Sequence, residues 1–154
     1  MNLLKNTHFN FTMSLAALAG GAARQSDVFD NRKTLYLDLG VRLRIALTPG
    51  STWGHKAIVI YAFGADGEPY PDGAGAYDAA IELRVPSTFQ LLGIISAPEG
   101  GTSYTWRTSP FEGIAGRFQG ILPRYTGIVV ANLTGLPFNP RESEHEKEFI
   151  ASHY

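Results

Sequence analysis

The sequence predicts an all-β fold built as a sandwich or a barrel, and three observations support this prediction. Apolar residues alternate with polar ones along several segments, which is the pattern of strands with one buried face. Turn-forming residues recur at intervals of about ten, which is typical of sandwiches and barrels. The chain also contains 17 glycines and 9 prolines, which leave little room for long helices.

Length and composition limit the classes of protein to which the chain can belong. With 154 residues, of which 44% are hydrophobic and 18% charged, it has the size and composition of one globular domain. Its net charge of −1 excludes the strongly basic surface of a general nucleic-acid binder. Because there is no cysteine, disulfide bonds, thiol catalysis and thiolate metal sites are excluded.

The clearest strand signal runs from Thr34 to Thr48. Every odd position over 35–47 is apolar, whereas most even positions are polar or small. This alternation predicts a strand with one face buried and the other in water. Fifteen residues are many for one strand, so we expect Gly40 to mark a bend or a bulge.

Further strands follow at regular intervals. The continuous apolar run from Ala57 to Phe63 predicts a strand that is buried on both faces. Residues 64–78 form a loop with two Asp-Gly turns. The strands expected after it are 79–85, 89–96, 102–108 and 126–133. Residues 114–118 stay ambiguous, and residues 142–154 fit either a last strand or a short helix.

The N-terminal residues 1–26 are predicted to form an extended arm, and residues 27–154 to form the sandwich domain. The run from Ala16 to Ala23 consists mainly of small residues, which cannot build a core of their own. An ordered arm of this kind lies against its own domain or against a neighbouring subunit. The stretch is too short and too polar to span a membrane.

The loop after the second strand concentrates carboxylates. Asp66, Glu68, Asp72 and Asp78 offer oxygen ligands that calcium would accept. Their spacing matches no EF-hand, and Asp-Gly pairs are common in turns for their local hydrogen bonds and positive φ. Turn chemistry is therefore the preferred interpretation, and we expect no bound metal.

No motif selects a catalytic site. The four histidines lack the His-x3-His spacing of helical metal ligands, and we expect His145 and His153 on a solvated acidic face. The sequence contains no Gly-x-Ser-x-Gly elbow, and its glycine-rich stretches lack the lysine of a phosphate loop. We therefore expect neither enzyme activity nor a cofactor, although an acid pair formed only by the fold would make the chain a hydrolase.

Aromatic residues are plentiful, and their positions suggest two uses. Those in predicted strands, including Tyr104 and Trp106, are expected to pack in the core. Trp53 and Tyr70 lie in predicted loops, which makes them better placed for a contact surface. Both glycan binding and subunit contact remain open for these loop aromatics.

Several short motifs, taken in order, resemble one family of proteins. The motifs are Gly21–Ser26, Asp66-Gly67, Tyr70–Gly73, Tyr77–Ala80, Leu91–Ile95, Ser109–Phe111, Gly120–Asn132 and Thr134-Gly135. Over residues 20–154 this series is similar to small proteins encoded in tailed-bacteriophage genomes, in or near the virion structural genes. The first dozen residues and the charged stretch 141–148 depart from the family's pattern.

The resemblance implies a non-enzymatic structural protein of the virion, in the first place a capsid decoration or cement protein. Its implied partners are the major capsid protein and copies of itself, with no nucleic acid and no membrane. The fold expected is an antiparallel β-sandwich of jelly-roll type with an N-terminal arm. The alternative is a tail or baseplate domain that binds a host glycan.

The contact residues predicted for this role fall in two groups. The arm supplies Ala22, Arg24 and Gln25, and the loops supply Trp53, Tyr70 and Tyr77. Their placement alone motivates them, because arms and loops are the parts of such a domain that reach neighbouring subunits.

Overall fold

The computed structural model describes residues 5–50, 56–83, 87–97, 102–108 and 113–153, which form two antiparallel β-sheets. These residues contain ten strands, three short 3-10 turns and no α-helix, so the predicted all-β fold is confirmed. The strands are β1 (Lys5–Asn10), β2 (Ala23–Gln25), β3 (Phe29–Asp30), β4 (Asp38–Ala46), β5 (Ala57–Ala65), β6 (Ala79–Ile81), β7 (Gln90–Ser96), β8 (Ser103–Arg107), β9 (Tyr125–Asn132) and β10 (Glu146–His153). The turns are Pro71–Gly73, Ile114–Phe118 and Glu142–Glu144.

The strand order in each sheet follows a nested pattern. Sheet A has the order β1-β10-β4-β8, and sheet B has the order β6-β2-β9-β5-β7, with β3 beside β2 along β9. When the short strands β3 and β6 are set aside, the first strand pairs with the last, the second with the second-last, and so on inwards. The first four of these eight strands therefore pair with the last four in reverse order, and the chain turns back on itself between β5 and β7.

The main core lies between the two sheets. Alternate residues of the central strands point into it, as the period of two in a strand requires. On β5 these are Ile58, Ile60 and Ala62, all fully buried, and on β9 they are Ile128 and Val130. The prediction that 57–63 is buried on both faces is confirmed, because Val59 and Phe63 are also buried on the opposite face.

The long strand predicted over 34–48 is shorter in the structure. Strand β4 begins at Asp38, and Leu35 and Leu37, expected in the core, are 72% and 43% exposed. The reason is a turn closed by Asn31, whose side chain accepts the Tyr36 N–H at 2.7 Å and donates to the Tyr36 carbonyl at 3.0 Å. This turn holds Leu35 at a φ of +54° and directs its side chain outwards.

Of the bend or bulge expected at Gly40, no bulge forms between β4 and β10. Gly40 pairs with Ile150 within an unbroken register between β4 and β10. Gly40, without a side chain, lines a hollow on the outer face of sheet A, and a Cβ there would lie 3.1 Å from the Thr108 hydroxyl oxygen.

Most of the other predicted strands are present. Segments 89–96 and 102–108 contain β7 and β8, and β9 begins one residue before the predicted segment 126–133. Residues 142–154 contain a strand, β10, rather than a helix. Of the predicted strand 79–85, only β6 forms, and residues 84–86 lie outside the described residues. The ambiguous segment 114–118 is a 3-10 turn.

The extended arm expected over residues 1–26 is corrected by the structure. Strand β1 is the edge of sheet A, pairing with β10, and β2 lies inside sheet B between β6 and β9. The predicted boundary after residue 26 falls between β2 and β3, which both pair with β9. Hydrogen bonding and burial therefore make residues 5–26 part of the sandwich.

Between β1 and β2 the chain crosses from one sheet to the other as an extended segment. Phe11, Met13 and Leu15 enter the core with exposures of 6%, 1% and 0%. The intervening N–H groups of residues 12, 14 and 16 are each donated to a carboxylate, at 2.9, 3.1 and 2.8 Å. Side-chain carboxylates here take the place of a neighbouring strand, which satisfies backbone donors that would otherwise be unpaired.

Candidate functional site: the outer faces of the two sheets

The outer face of sheet A carries a ladder of paired charges. Arg42 and Arg44 of β4 stand directly opposite Glu148 and Glu146 of β10. The Arg42 Nε lies 3.2 Å from a Glu148 oxygen, and an Arg44 Nη lies 3.3 Å from Glu146. At the edge, the His8 Nδ1 lies 2.9 Å from Glu148. Such cross-strand pairs favour contact with water on this face.

The outer face of sheet B has the opposite chemistry. A second cluster of buried apolar residues lies on it, separate from the core between the sheets. Its members are Ala23, Val59, Phe63, Phe89, Val129 and Ala131. They are buried because the long connection between β5 and β7 folds back over them and contributes partly buried residues such as Tyr70, Ile81 and Leu83. The sequence predicted residues 64–78 of this connection as a loop and residues 79–85 as a strand, and it did not predict that the connection covers the sheet.

The described residues of the connection leave part of this apolar face uncovered. Leu91, Ile94 and Leu133 are 46%, 56% and 46% exposed. Beside β2 and β6 lies a hollow of about 600 Å³, whose walls include Ala22, Leu83 and Leu133. Exposed apolar surface that adjoins such a hollow is typical of protein interaction sites.

Among the predicted contact residues of the N-terminal segment, only Ala22 lines this hollow. Arg24 is held in an ion pair, its Nε 2.5 Å from an oxygen of Asp78. Gln25 is 2% exposed, and its amide donates to the carbonyls of Gly75 and Tyr77 at 2.8 and 2.7 Å. Arg24 and Gln25 therefore fasten the covering connection to β2, and the burial of Gln25 gives it no surface to offer a partner.

The predicted loop aromatics occupy different environments. Tyr77 is 81% exposed, the most exposed large hydrophobic side chain of the described residues. Tyr70 is half-buried, with its ring centre 6.3 Å from that of Phe63 and 6.1 Å from that of Tyr125. Burial is the main reason that the pKa of the Tyr70 hydroxyl is raised, and the negative charge of neighbouring acidic groups raises it further. Trp53 lies outside the described residues.

Two further apolar residues are exposed at a second location. Leu35 lines a hollow of about 440 Å³ together with Arg32 and Arg124. Ile121, three residues before Arg124 in the chain, is 74% exposed. The Arg32 guanidinium lies 5.1 Å from the centre of the Tyr125 ring. The position of Leu35 in the alternating run predicts a core residue, so the sequence does not reveal its exposure.

Two of the four carboxylates of the calcium hypothesis, Asp72 and Asp78, are engaged in local structure. Asp72 accepts hydrogen bonds from the Thr88 N–H at 2.5 Å and from the Ser87 and Thr88 hydroxyls at 3.0 and 2.9 Å. Asp78 binds Arg24 and the segment between β1 and β2. Among the described residues, no group of three or more histidines and carboxylates is placed to hold a metal ion.

A polar hollow of about 240 Å³ lies on the outer face of sheet A, above Gly40. Its one carboxylate, Asp38, accepts the N–H groups of Leu39, Gly113 and Ala115 at 2.7, 3.1 and 2.8 Å. Two of these bonds hold the turn 113–115 in place against the start of β4. A carboxylate with these partners is built as an anchor, and no second carboxylate of the described residues lines the hollow.

The histidines do not form the solvated face that we expected. His145 is 5% exposed, and its ring bridges the Ala46 N–H, 3.3 Å from Nδ1, and the Asn139 carbonyl, 3.0 Å from Nε2. It therefore connects the start of β10 to the end of β4. His153 is partly buried with its ring against Tyr36, and His55 lies outside the described residues.

Comparisons with known proteins add no assignment. No protein-family model matches this sequence, and no curated protein matches it. Within the part of the chain that the structure describes, no helix has the length and apolar character needed to cross a bilayer.

Proposed function

We propose that this chain is a non-enzymatic structural protein of a tailed-bacteriophage virion, a capsid decoration or cement protein that binds the major capsid protein and copies of itself. The resemblance of several motifs to those of small virion proteins suggests the class. The observation that carries the proposal is the contrast between the two outer faces, one a ladder of paired charges and the other apolar and incompletely covered. A protein with one such face is suited to lie on a larger surface.

We infer in addition that the sandwich is a jelly roll. This fold has eight strands in two sheets joined by Greek-key connections. The eight strands that are left when β3 and β6 are set aside pair from the ends of the chain inwards. Successive strands among them lie in alternate sheets, except that β5 and β7 lie in the same sheet. That arrangement supports the inference, with β3 and β6 as additions beside β2.

In the proposed complex, the hollow beside β2 and β6 receives an apolar group of the capsid surface. Its small walls at Ala22 and Ala80 admit a neighbouring chain closely, and Leu83 and Leu133 provide apolar contact. Small subunits of this kind bind weakly one at a time, and many such contacts on a symmetric shell add up.

The test uses heads of the encoding phage that were assembled without this protein. The purified full chain is added, and bound protein is measured after sedimentation of the heads. We expect saturable binding, and we expect Leu133→Lys to weaken it at least about tenfold, since burying a charge in an apolar contact is unfavourable. Thr105→Lys, which adds the same charge to the exposed face of β8, is the matched control and should bind normally. Absence of binding by the unaltered chain would refute the proposal.

One observation favours the alternative, a tail or baseplate domain that binds a host glycan. Tyr77 presents its ring to solvent on the loop before β6, and aromatic rings of this kind stack on sugars. A glycan array with the isolated chain tests this: specific binding that Tyr77→Ala abolishes would support the alternative. Trp53→Ala and Tyr70→Ala are the companion variants, because the sequence selected those residues for the same role.

A further inference from the structure

The edges of the two sheets differ in how well they are protected against pairing with another strand. An edge strand offers unpaired N–H and C=O groups, and proteins protect such edges with charges, short strands or prolines. Among the described residues, β1 and β8 are the edges of sheet A, and β6 and β7 are the edges of sheet B. Three of these four edges carry such protection.

The protection of the three edges is visible in their sequences. Strand β1 carries Lys5 and His8, and strand β8 ends at Arg107. Strand β6 has only three residues and is followed directly by Glu82. A second chain that approached any of these edges would meet a charge or find few backbone groups to bind.

Strand β7 lacks all three kinds of protection, because it carries no charged residue and no proline and is not short. Its seven residues, Gln90–Ser96, read QLLGIIS, and among the described residues its only ladder partner is β5. Leu91 and Ile94 of this strand are 46% and 56% exposed on the same outer face. An uncharged apolar edge of this length is a template for strand addition.

The local geometry leaves a short regular segment available for pairing. A bulge at Leu92 interrupts the register with β5, so that Gly93–Ser96 is the unbroken run. From inside the sandwich, the Trp106 indole packs against Gly93, so closely that a Cβ on this glycine would lie 2.5 Å from the ring. This contact holds the strand in its extended form before any partner arrives, which lowers the entropy cost of pairing.

We propose that β7 pairs with β7 of a second copy of this chain, antiparallel, about a two-fold axis at Ile94. This proposal rests on the proposed function, since it names the surface through which copies meet. Each copy carries the same uncharged strand, so self-pairing brings no like charges together, and a two-fold contact closes on itself rather than growing into a fibre. The two Ile94 side chains then meet across the axis on the outer face.

Such a contact is small, and its size predicts its strength. Three regularly paired residues on each copy, Gly93–Ile95, with two apolar side chains bury less than the roughly 1,000 Å² expected of a stable interface. The dimer is therefore weak in solution and is favoured where copies are concentrated on a surface. Sheet B becomes continuous across the two copies.

The test takes advantage of a chain without cysteine. Residues facing each other in an antiparallel pair have Cα atoms about 4.5–5.5 Å apart, which lies within the range of a disulfide bond. Under mild oxidation, Ile94→Cys should therefore form a covalent dimer of twice 16.8 kDa. Leu133→Cys, whose parent side chain is similarly exposed on the same sheet but away from the β7 edge, is the matched control and should cross-link at least about tenfold more slowly.

A second measurement needs no cysteine. Sedimentation of the unaltered chain at up to about 100 μM should show a mass that rises with concentration, and Ile94→Lys should abolish the rise. Equal cross-linking rates of the two cysteine variants, or a strictly monomeric unaltered chain, would overturn the proposal. The proposed function is judged separately by binding to heads: monomeric protein that still binds heads refutes the β7 contact alone, whereas dimers that fail to bind heads refute the capsid role alone.

Discussion

Asp78 holds Ser14 by two hydrogen bonds, accepting the Ser14 N–H at 3.1 Å and the Ser14 hydroxyl at 2.8 Å. The same carboxylate accepts the Arg24 Nε at 2.5 Å through its other oxygen. One side chain thus joins the segment between the sheets, strand β2 and the connection that covers the outer face of sheet B. The apolar face depends on this junction, because it fixes the start of β6.

We expect Asp78→Asn to lower the free energy of unfolding by about 2 kcal/mol, since hydrogen bonds to a charged group contribute about 1.5–3 kcal/mol. The amide keeps the size of the side chain but loses the charge and presents an NH2 where an acceptor is needed. Urea unfolding measures the change. Asp66→Asn, at an exposed position of the same connection, should change stability by less than about 0.5 kcal/mol, and equal effects of the two variants would contradict the role of Asp78.

Acid should weaken the same junction. Burial raises the pKa of Asp78, but hydrogen bonds from Arg24 and Ser14 outweigh it and leave the pKa below its ordinary value of 3.8. In Glu142, burial is likewise outweighed, here by Lys147 and the Ala16 N–H, so that its pKa lies below 4.5. As pH falls, the unfolded chain takes up these protons first, and the stability present above about pH 5 is lost towards the folded pKa values.

Asp27 acts with the opposite sign, because burial raises its pKa despite hydrogen bonds from Thr12. Its contribution is present in acid and is lost as pH rises through its folded pKa. We expect the carboxylates with lowered pKa values, Asp78 and Glu142, to outweigh Asp27. The urea concentration at the unfolding midpoint should therefore decrease as the pH is lowered from about 5 to about 3. The slope should be shallower in Asp78→Asn, and an unchanged slope would show that Asp78 does not carry the effect.

The N-terminal residues are expected to be essential for folding. Removing residues 1–12 deletes β1 and Phe11, whose ring centre lies 4.3 Å from that of Phe149 in the core. Loss of one buried phenylalanine alone costs about 3–5 kcal/mol, a large part of a typical domain's stability. Circular dichroism should show loss of the cooperative thermal transition, whereas removal of residues 1–4 should leave it. A chain starting at Met13 that melts like the full chain would refute this prediction.

Gly127 is required by close packing on the outer face of sheet B. It pairs with Phe63 across β9 and β5, and a Cβ at this position would overlap the Phe63 ring. Gly127→Ala should therefore destabilise the protein by about 1–3 kcal/mol, measured by the shift of the thermal midpoint. Gly116→Ala is the control, since a Cβ there meets nothing within 4 Å. Similar midpoints for the two variants would show that the outer cluster rearranges freely.

The strands could be predicted where local pattern and burial agree. The run 57–63 forms β5 as expected, because its side chains are apolar on both sides and both sides of β5 are covered. The pattern failed at Leu35, where the turn around Asn31 turns an apolar residue outwards. It also failed at His145, because the ring bonds the N–H of Ala46, which is far away in the sequence, and the carbonyl of Asn139 in the preceding loop.

The candidate surface was predicted only in part. Tyr77 was selected as a loop residue, and loops reach solvent, so its exposure follows from its place in the chain. Ala22 was selected as part of an arm that the structure does not have, although it lines the hollow. The exposure of Ile94 could not be predicted, because an apolar strand looks the same whether it lies in the centre of a sheet or at its edge. Only the order of strands decides that difference.

By itself, the sequence determined that this protein is built of strands, because period-two alternation and frequent turn residues are local properties of the chain. The tertiary structure decided that the N-terminal residues belong to both sheets, that one outer face is charged and the other apolar, and that β7 is an edge of sheet B among the described residues. Those features depend on contacts between residues far apart in the chain, such as Ser14 with Asp78, which no local pattern records.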